Sequence, residues 1–143
     1  MPKNNFRCGF VTLAGRTNIG KSTLLNQIMQ TEIAIATHKP QTTRHLIKGI
    51  YQDEQSQIIF IDSPGMHKVT DQLGRIMRKA ASIAIQETDV VVLLIDARSE
   101  LKIGEIEKQI IDLAISSKID LILAINKIDL VAKTRILHLI QEY

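Results

Sequence analysis

A single nine-residue run near the amino terminus limits the folds open to this chain, namely Gly15-Arg16-Thr17-Asn18-Ile19-Gly20-Lys21-Ser22-Thr23. It fits the pattern G-x-x-x-x-G-K-[ST], whose glycine spacing lets successive backbone N–H groups turn toward one point and bind phosphate oxygens. In this pattern Lys21 reaches the β and γ phosphates, and the Ser22 hydroxyl is placed for Mg²⁺. A helix that starts here directs the positive end of its dipole at the same anion. The run therefore predicts a phosphate-binding loop, and all nine residues are candidates for phosphate contact.

The residues on either side of the run have the pattern that such a loop requires. Phe6 to Ala14 is rich in apolar residues and predicts a buried strand, in which Cys8 is interpreted as a small core residue. Residues 22–29 carry apolar side chains at helical spacing. A strand, a loop and a helix in this order favour phosphate binding over the alternative, a glycine-rich turn with no ligand.

Composition limits the class of protein without naming a substrate. The chain has 143 residues and is 45% hydrophobic, enough for one domain with a core. Its net charge of +3 is too small to argue for nucleic acid as a partner. The one cysteine excludes a disulfide within the chain. With no secretory signal pattern near Met1 and no apolar run long enough to span a bilayer, we expect a soluble cytosolic protein.

Strand and helix patterns alternate after the loop, which predicts an α/β fold with a mostly parallel sheet and helices on both of its faces. Four further strands and three further helices are predicted. The strands are expected at residues 45–51, 57–61, 89–95 and 120–125, and the helices at 72–86, at 105–116 and from 133 onward. Asp53 to Ser56 is predicted to be a hairpin turn, and Glu32 to Gln41 a loop.

The third predicted strand ends in Asp62-Ser63-Pro64-Gly65, a D-x-x-G sequence. An acidic residue at the carboxyl end of a parallel strand lies beside the phosphate loop and can hold Mg²⁺ through water. Gly65 lets the backbone approach a γ-phosphate closely. We therefore interpret Asp62, Ser63, Pro64, Gly65 and Met66 as a second switch segment and Asp62 as a magnesium ligand.

The fifth predicted strand ends in Asn126-Lys127-Ile128-Asp129, an N-K-x-D sequence. The Asp129 carboxylate can accept hydrogen bonds from N1–H and the 2-amino group of guanine. Adenine offers neither donor, so its binding would leave a desolvated carboxylate unpaired. Asn126, Lys127 and Asp129 are therefore predicted to bind guanine.

Between the phosphate loop and D-x-x-G lies a polar segment that contains two threonines. A loop threonine can complete the Mg²⁺ shell while a γ-phosphate is present and release it after hydrolysis. The residue pattern leaves open which threonine does so, and Thr43 is favoured. We interpret this segment as a first switch and place Lys21 and Thr43 among the catalytic residues. The switch consists of Gln41, Thr42, Thr43, Arg44 and His45.

Taken together, these motifs resemble the Era family of bacterial GTPases from Cys8 to about Leu130. The residues Met66-His67, which follow D-x-x-G, are also similar to that family. The resemblance implies a P-loop NTPase of the Ras-like G-domain type, a Mg²⁺ cofactor and slow hydrolysis of GTP to GDP and phosphate. It also implies work in small-subunit ribosome assembly on 16S rRNA, and association with the cytoplasmic face of the inner membrane. A potassium ion held by Asn18 is a further implication.

Met66 follows D-x-x-G here and cannot orient water as a glutamine does at that position in several GTPases. This chain departs from the family pattern at two places. Thr17 stands where the family usually has proline. The family's S-A motif, last strand, last helix and RNA-binding KH domain are not found after Asp129. We therefore expect residues 1–143 to be a G domain that is incomplete at its carboxyl end.

Several alternatives stay open from the sequence. Arg16 or Arg44 is a candidate internal arginine finger, His67 is a weaker candidate base, and the Arg75–Lys79 cluster is most simply a solvated helix face. For the whole chain, the alternatives are a tRNA-modification or tandem-domain ribosome GTPase of a sister branch, and a non-catalytic remnant that binds guanine nucleotides.

Overall fold

The computed structural model describes residues 6–31, 47–61 and 82–143. Within these ranges five strands form one sheet, in the order β2-β3-β1-β4-β5. The strands are β1 (Arg7–Ala14), β2 (Ile47–Gln52), β3 (Ser56–Ile61), β4 (Val90–Asp96) and β5 (Asp120–Asn126). The helices are α1 (Lys21–Thr31), α2 (Glu105–Ser117) and α3 (Lys133–Glu142), with a 3-10 turn at Ile128–Leu130 and helical residues at 82–86.

The predicted α/β sheet is confirmed, and it is mostly parallel. β1 pairs in parallel with β3 and β4, and β4 pairs in parallel with β5. Only β2 runs antiparallel, to β3, through the predicted hairpin turn, in which the Asp53 N–H donates to the Ser56 carbonyl at 2.9 Å. Parallel pairing brings the carboxyl ends of β1, β4 and β5 to the same edge of the sheet.

The core lies against β4, which is buried on both faces. Val91, Leu93 and Ile95 point to one face and Leu94 to the other, because alternate residues of a strand face opposite sides. The first face packs with buried residues of the helical segment 82–86, of α2 and of α3, which are Ile85, Ile106, Ile110 and Leu139. In α2, Ile106, Ile110 and Ala114 are buried, and Leu113 is partly buried against the same cluster.

The prediction that the whole first strand is buried is wrong for its amino-terminal half. Cys8 is exposed, and Phe6 and Phe10 expose 49% and 38% of their surface. The cause is strand register: β1 pairs with β3 from Arg7 onward but meets β4 only from Val11. The start of β1 therefore has a neighbouring strand on one side only, and full burial begins at Thr12.

No helix within the described ranges is both long and apolar enough to cross a membrane. Of the helix predicted at residues 72–86, the described portion, 82–86, is helical. The loop predicted at Glu32 to Gln41 lies outside the described residues.

Candidate nucleotide-binding site

The predicted phosphate loop leaves β1 at the carboxyl edge of the sheet and depends on two glycines with positive φ. Gly15 has φ +139° and Gly20 has φ +102°, values that L side chains rarely adopt. A Cβ at Gly15 would lie 2.5 Å from the Leu94 carbonyl oxygen, and one at Gly20 would collide with the Asn126 amide. Glycine is therefore required at both positions by backbone conformation and by space.

Lys21 begins α1 and folds back over the loop that precedes it. Its Nζ donates to the carbonyl oxygens of Arg16 at 2.6 Å and Gly15 at 3.1 Å. The ammonium group is thus held at the mouth of the loop, where a phosphate would lie. Ser22 and Thr23 are exposed in the first turn of α1, and Thr17 and Asn18 are exposed in the loop. Ile19 is buried and anchors the loop to the core.

The N-K-x-D sequence reaches the phosphate loop across more than one hundred residues of chain. Asn126 Nδ2 donates to the Ile19 carbonyl oxygen at 2.8 Å, and Lys127 Nζ donates to the Asn18 carbonyl oxygen at 3.2 Å. The topology explains this contact, because β4 pairs with both β1 and β5 and aligns their ends. The structure therefore brings the phosphate loop and N-K-x-D into contact.

Asp129 lies in the 3-10 turn that follows, with its side chain exposed. The turn begins at Lys127, which is in the left-handed region with φ 60° and ψ 37°, and the Leu130 N–H donates back to the Lys127 carbonyl oxygen at 3.1 Å. Asp129 is thus carried on a short, hydrogen-bonded turn at the same edge as the phosphate loop, with its carboxylate accessible to a ligand.

Arg16 is engaged by a residue that the sequence interpretation did not identify. Its Nε lies 2.7 Å from Glu107 Oε1 and its Nη2 lies 3.0 Å from Glu107 Oε2, a two-pronged ion pair. The Glu107 side chain is only 5% exposed, and its hydrogen bonds raise the pKa of Arg16. This pairing ties the phosphate loop to α2 and competes with the interpretation of Arg16 as an arginine finger.

A second unpredicted group gathers where β4 ends. Asp96 Oδ2 accepts from Lys127 Nζ at 2.9 Å and from Arg98 Nη2 at 2.8 Å. The Arg98 hydrogen bonds, followed by those from Lys127, hold the pKa of Asp96 well below its ordinary value of 3.8. Arg135 of α3 donates hydrogen bonds to the backbone carbonyl oxygens of the turn that follows β4, which are those of Ala97, Arg98 and Ser99.

Arg16 and Asp96 both line a cleft of about 370 Å³ beside the phosphate loop. The rest of its wall is formed by Thr17, Ile19, Arg98, Ser99 and Glu107. One sequence signal was available for the Asp96 group: an acidic residue directly after an apolar parallel strand, the same signal that singled out Asp62. No comparable signal marks Glu107, since an acidic residue in the first turn of a helix is common.

The other predicted site residues lie outside the described residues. They are the first switch, Gln41, Thr42, Thr43, Arg44 and His45, and the second switch, Asp62, Ser63, Pro64, Gly65 and Met66. Of the proposed magnesium ligands, Ser22 alone is described. Among described residues, no group of three or more His, Cys, Asp or Glu side chains is arranged to hold a metal ion.

Comparison with known proteins agrees with this geometry. A family model described as 50S ribosome-binding GTPase matches residues 10–127. The chain is 45% identical to GTPase Era of Geobacter metallireducens over all 143 residues, which cover 47% of that relative. It is also 45% identical to GTPase Era of Clostridioides difficile over 124 residues, or 87% of this chain and 41% of that relative. The chain spans about half the length of the curated relatives it matches.

Solved structures give the same result. Era in complex with MgGDPNP and a segment of 16S ribosomal RNA superposes with a TM-score of 0.75 at 33% identity, covering 96% of this chain and 46% of that one. Aquifex aeolicus Era bound to GDP and AlF4⁻ superposes with a TM-score of 0.73 at 34% identity, covering 94% and 46%. The predicted resemblance to the Era family and the predicted G-domain fold are confirmed.

Proposed function

This chain belongs to the family described as the 50S ribosome-binding GTPases, and on that premise we propose that it is a switch that binds GTP and GDP and hydrolyses GTP. The observation that carries the proposal is the pair of hydrogen bonds from Asn126 and Lys127 to the phosphate loop. They support a single ligand that spans both motifs, with phosphates at one end and a purine at the other. A nucleotide has this shape.

The phosphate end of the proposed site consists of the loop from Gly15 to Thr23. Its backbone N–H groups and the start of α1 bind the phosphate chain, and Lys21 neutralises the charge that develops on the transferred γ-phosphoryl group. Lys21 does not have to move far to do so, because its ammonium group already lies over the loop. Hydrolysis then proceeds by attack of water on the γ-phosphorus, with GDP as the leaving group.

A magnesium ion fits the same end of the site. Ser22 offers a hydroxyl in the exposed first turn of α1, an oxygen ligand of the kind that Mg²⁺ prefers. Thr43 and Asp62 are proposed as its other protein ligands. When bound, the ion would offset the negative charge of the phosphate oxygens beside the start of α1.

The purine end is proposed to select guanine through Asp129, with Asn126 and Lys127 as supports. The exposure of Asp129 on its short turn supports this assignment, since an exposed carboxylate can accept both guanine N–H groups. The family relationship and this motif together make a guanine nucleotide the natural ligand of the proposal.

Intrinsic turnover is proposed to be slow, because Met66 offers no hydrogen bond to the attacking water. Asn18 is proposed to hold a potassium ion, which would take up part of the developing charge. The exposed position of Asn18 in the phosphate loop supports this role. The backbone carbonyl oxygen of Asn18 already accepts a hydrogen bond from Lys127.

The proposed biological role is small-subunit ribosome assembly. The family description names the large subunit, whereas a neighbour at 33% identity is an Era bound to 16S ribosomal RNA. We favour 16S rRNA because the similar curated relatives carry the name Era. We propose residues 1–143 as the nucleotide-binding part of such a protein, cytoplasmic and associated peripherally with the inner membrane; the location rests on family resemblance alone.

The test is a GTP turnover assay on the chain and on its Lys21→Ala variant. We expect the variant to lose turnover by about 10²-fold or more, because it removes the charge that faces the β and γ oxygens. Lys133→Ala, an exposed lysine at the start of α3, is the matched control and keeps the parent rate. Unchanged hydrolysis in Lys21→Ala would refute the proposed site, and nucleotide binding without turnover in the parent chain would favour the non-catalytic alternative.

A further inference from the structure

We propose that Asp96 is a positioning residue of the guanine site: it holds Lys127 across the phosphate loop and thereby sets the affinity for guanine nucleotides. This inference rests on the proposed function and adds a residue to it that lies outside the predicted motifs. Asp96 is separated from the phosphate loop and from N-K-x-D in sequence, and only the sheet brings it between them.

Strand register places the two groups side by side. Asp96 and Asn126 are paired as the last residues of β4 and β5, and the Ala97 N–H donates to the Asn126 carbonyl oxygen at 2.9 Å. Lys127, the next residue, therefore leaves the sheet directly beside the Asp96 carboxylate. Its Nζ has one contact on each side, Asp96 Oδ2 at 2.9 Å and the Asn18 carbonyl oxygen at 3.2 Å.

The carboxylate that holds Lys127 is itself fixed. Asp96 Oδ1 accepts from the Arg98 backbone N–H at 2.9 Å and from Arg98 Nε at 3.0 Å, and Oδ2 accepts from Arg98 Nη2 at 2.8 Å as well as from Lys127. The Asp96 side chain is 15% exposed. Arg135 holds the backbone of the following turn through its carbonyl oxygens. Asp96 is therefore a fixed acceptor for Lys127.

Fixing Lys127 has two consequences for a bound guanine. The Lys127 side chain is a flexible four-carbon chain. Holding it in place before the ligand arrives lowers the conformational entropy that is lost on binding. Lys127 also opens the 3-10 turn that carries Asp129, in a left-handed conformation that is unusual for a residue with a side chain. An anchored Lys127 side chain thus steadies the backbone that presents Asp129 to the base.

The competing explanation is that Asp96 only stabilises its own turn through Arg98. Binding measurements separate the two, because a structural role lowers stability whatever residue stands at position 127. A positioning role acts through Lys127 and disappears when Lys127 cannot form the ion pair.

The experiment is a double-mutant cycle in which GDP affinity is measured by calorimetry. The four proteins are the parent chain, Asp96→Asn, Lys127→Met and the double variant. We expect Asp96→Asn to weaken GDP binding about tenfold, or ~1.4 kcal/mol, the scale of one long side chain that must be ordered on binding. In the Lys127→Met background the same substitution should change the affinity less than about twofold. Asp53→Asn, an isosteric change at a turn away from the site, is the control and keeps the parent affinity.

Asp96→Glu guards against a variant that fails to fold, because it keeps the charge but moves the carboxylate by one methylene. Weaker GDP binding in Asp96→Glu that vanishes in the Lys127→Met background supports the proposal. Equal losses in both backgrounds, or parent affinity in Asp96→Asn or Lys127→Met, would overturn it. If the parent chain binds GDP no better than ADP, the proposed function fails instead; parent GDP selectivity with an unaffected Asp96→Asn refutes this inference alone.

Discussion

Asp53 and Asp96 begin turns of the same local kind at opposite ends of the sheet. Each carboxylate accepts a hydrogen bond from the backbone N–H two residues later, at 2.8 Å for Asp53 and 2.9 Å for Asp96. The Asp53 turn joins β2 to β3, at the end where β3 starts beside the start of β1. The Asp96 turn follows β4 at the other end, where the phosphate loop begins.

The two turns differ in what their second oxygen contacts. Asp53 Oδ2 accepts from the Ser56 hydroxyl, three residues away. Asp96 Oδ2 accepts from Arg98 Nη2 nearby and also from Lys127, at the end of the neighbouring strand. An aspartate that accepts from the N–H two residues later thus closes a hairpin at one end of the sheet. At the other end, such an aspartate connects its own turn to N-K-x-D and, through Lys127, to the phosphate loop. Parallel topology makes the difference, because it collects the carboxyl ends of distant strands at one edge.

The largest effect on ligand binding is expected at Asp129, at the end of the sheet that carries the phosphate loop. Asp129→Asn should weaken GDP binding by about 10²-fold, since two hydrogen bonds to a charged acceptor are lost. It should also shift the preference toward xanthine nucleotides, because the new amide presents a donor to the xanthine carbonyl. Competition binding with GDP and XDP measures both changes.

Asp112→Asn, an exposed position on α2, is the control for this experiment and should leave the preference unchanged. A variant at Asp129 that kept full GDP selectivity would remove the guanine assignment from this edge of the sheet.

A smaller effect is expected at Glu107, whose ion pair with Arg16 links the phosphate loop to α2. Glu107→Gln removes the charge from the two-pronged pair with Arg16 and should lower the free energy of unfolding by about 1 kcal/mol. Urea denaturation measures it. Glu105→Gln is exposed on the same helical turn and should have no comparable effect. Equal destabilisation by the two variants would show that the pair adds nothing beyond helix electrostatics.

The pH dependence of stability compares the two aspartates directly. Hydrogen bonds from Arg98 and Lys127 lower the pKa of Asp96, and backbone hydrogen bonds from Gln55 lower that of Asp53. A lowered folded-state pKa stabilises the protein above the ordinary value of 3.8, and this stabilisation is lost as the pH falls through the folded-state value.

The difference in unfolding free energy between the parent and Asp96→Asn should therefore be constant above about pH 5 and shrink below about pH 4. Asp53→Asn should show the same trend with a smaller amplitude, because the Asp53 carboxylate accepts from backbone N–H groups and a hydroxyl rather than from charged side chains. Acid titration of both variants by circular dichroism checks this, and a difference that grows as the pH falls would contradict the assigned hydrogen bonds.

The smallest expected effect concerns the cation at Asn18. GTP turnover in KCl should exceed that in NaCl at equal ionic strength, and Asn18→Ala should abolish the difference. Asn26→Ala, exposed on α1, is the control. Equal rates in the two salts would remove potassium from the proposal.

The sequence predicts the strands of this sheet well, because they are short apolar runs between polar turns. It predicts the phosphate loop because the requirement is local: Gly15 and Gly20 are needed for backbone conformation. The assignment of Asp129 to guanine stays a prediction. The contact between the phosphate loop and N-K-x-D follows from the rule that parallel strand ends share an edge. The switch segments stay predictions.

The sequence does not predict burial along β1 or the partners of Arg16. Cys8 looks like a core residue, yet its exposure depends on where β4 begins, which is a matter of register between distant strands. Glu107 and Asp96 are ordinary acidic residues in sequence. Their roles depend on side-chain contacts across 91 and 31 residues of chain, and local patterns carry no information at that distance.

The central claim is that the two motifs joined by Asn126 and Lys127 form one guanine-nucleotide site. Calorimetry of the parent chain with GDP and with ADP tests it most directly. We predict that GDP binds about 10³-fold tighter or more, since a site built to pair with the guanine N–H groups leaves a desolvated carboxylate when adenine occupies it. Similar affinities for the two nucleotides would contradict the claim.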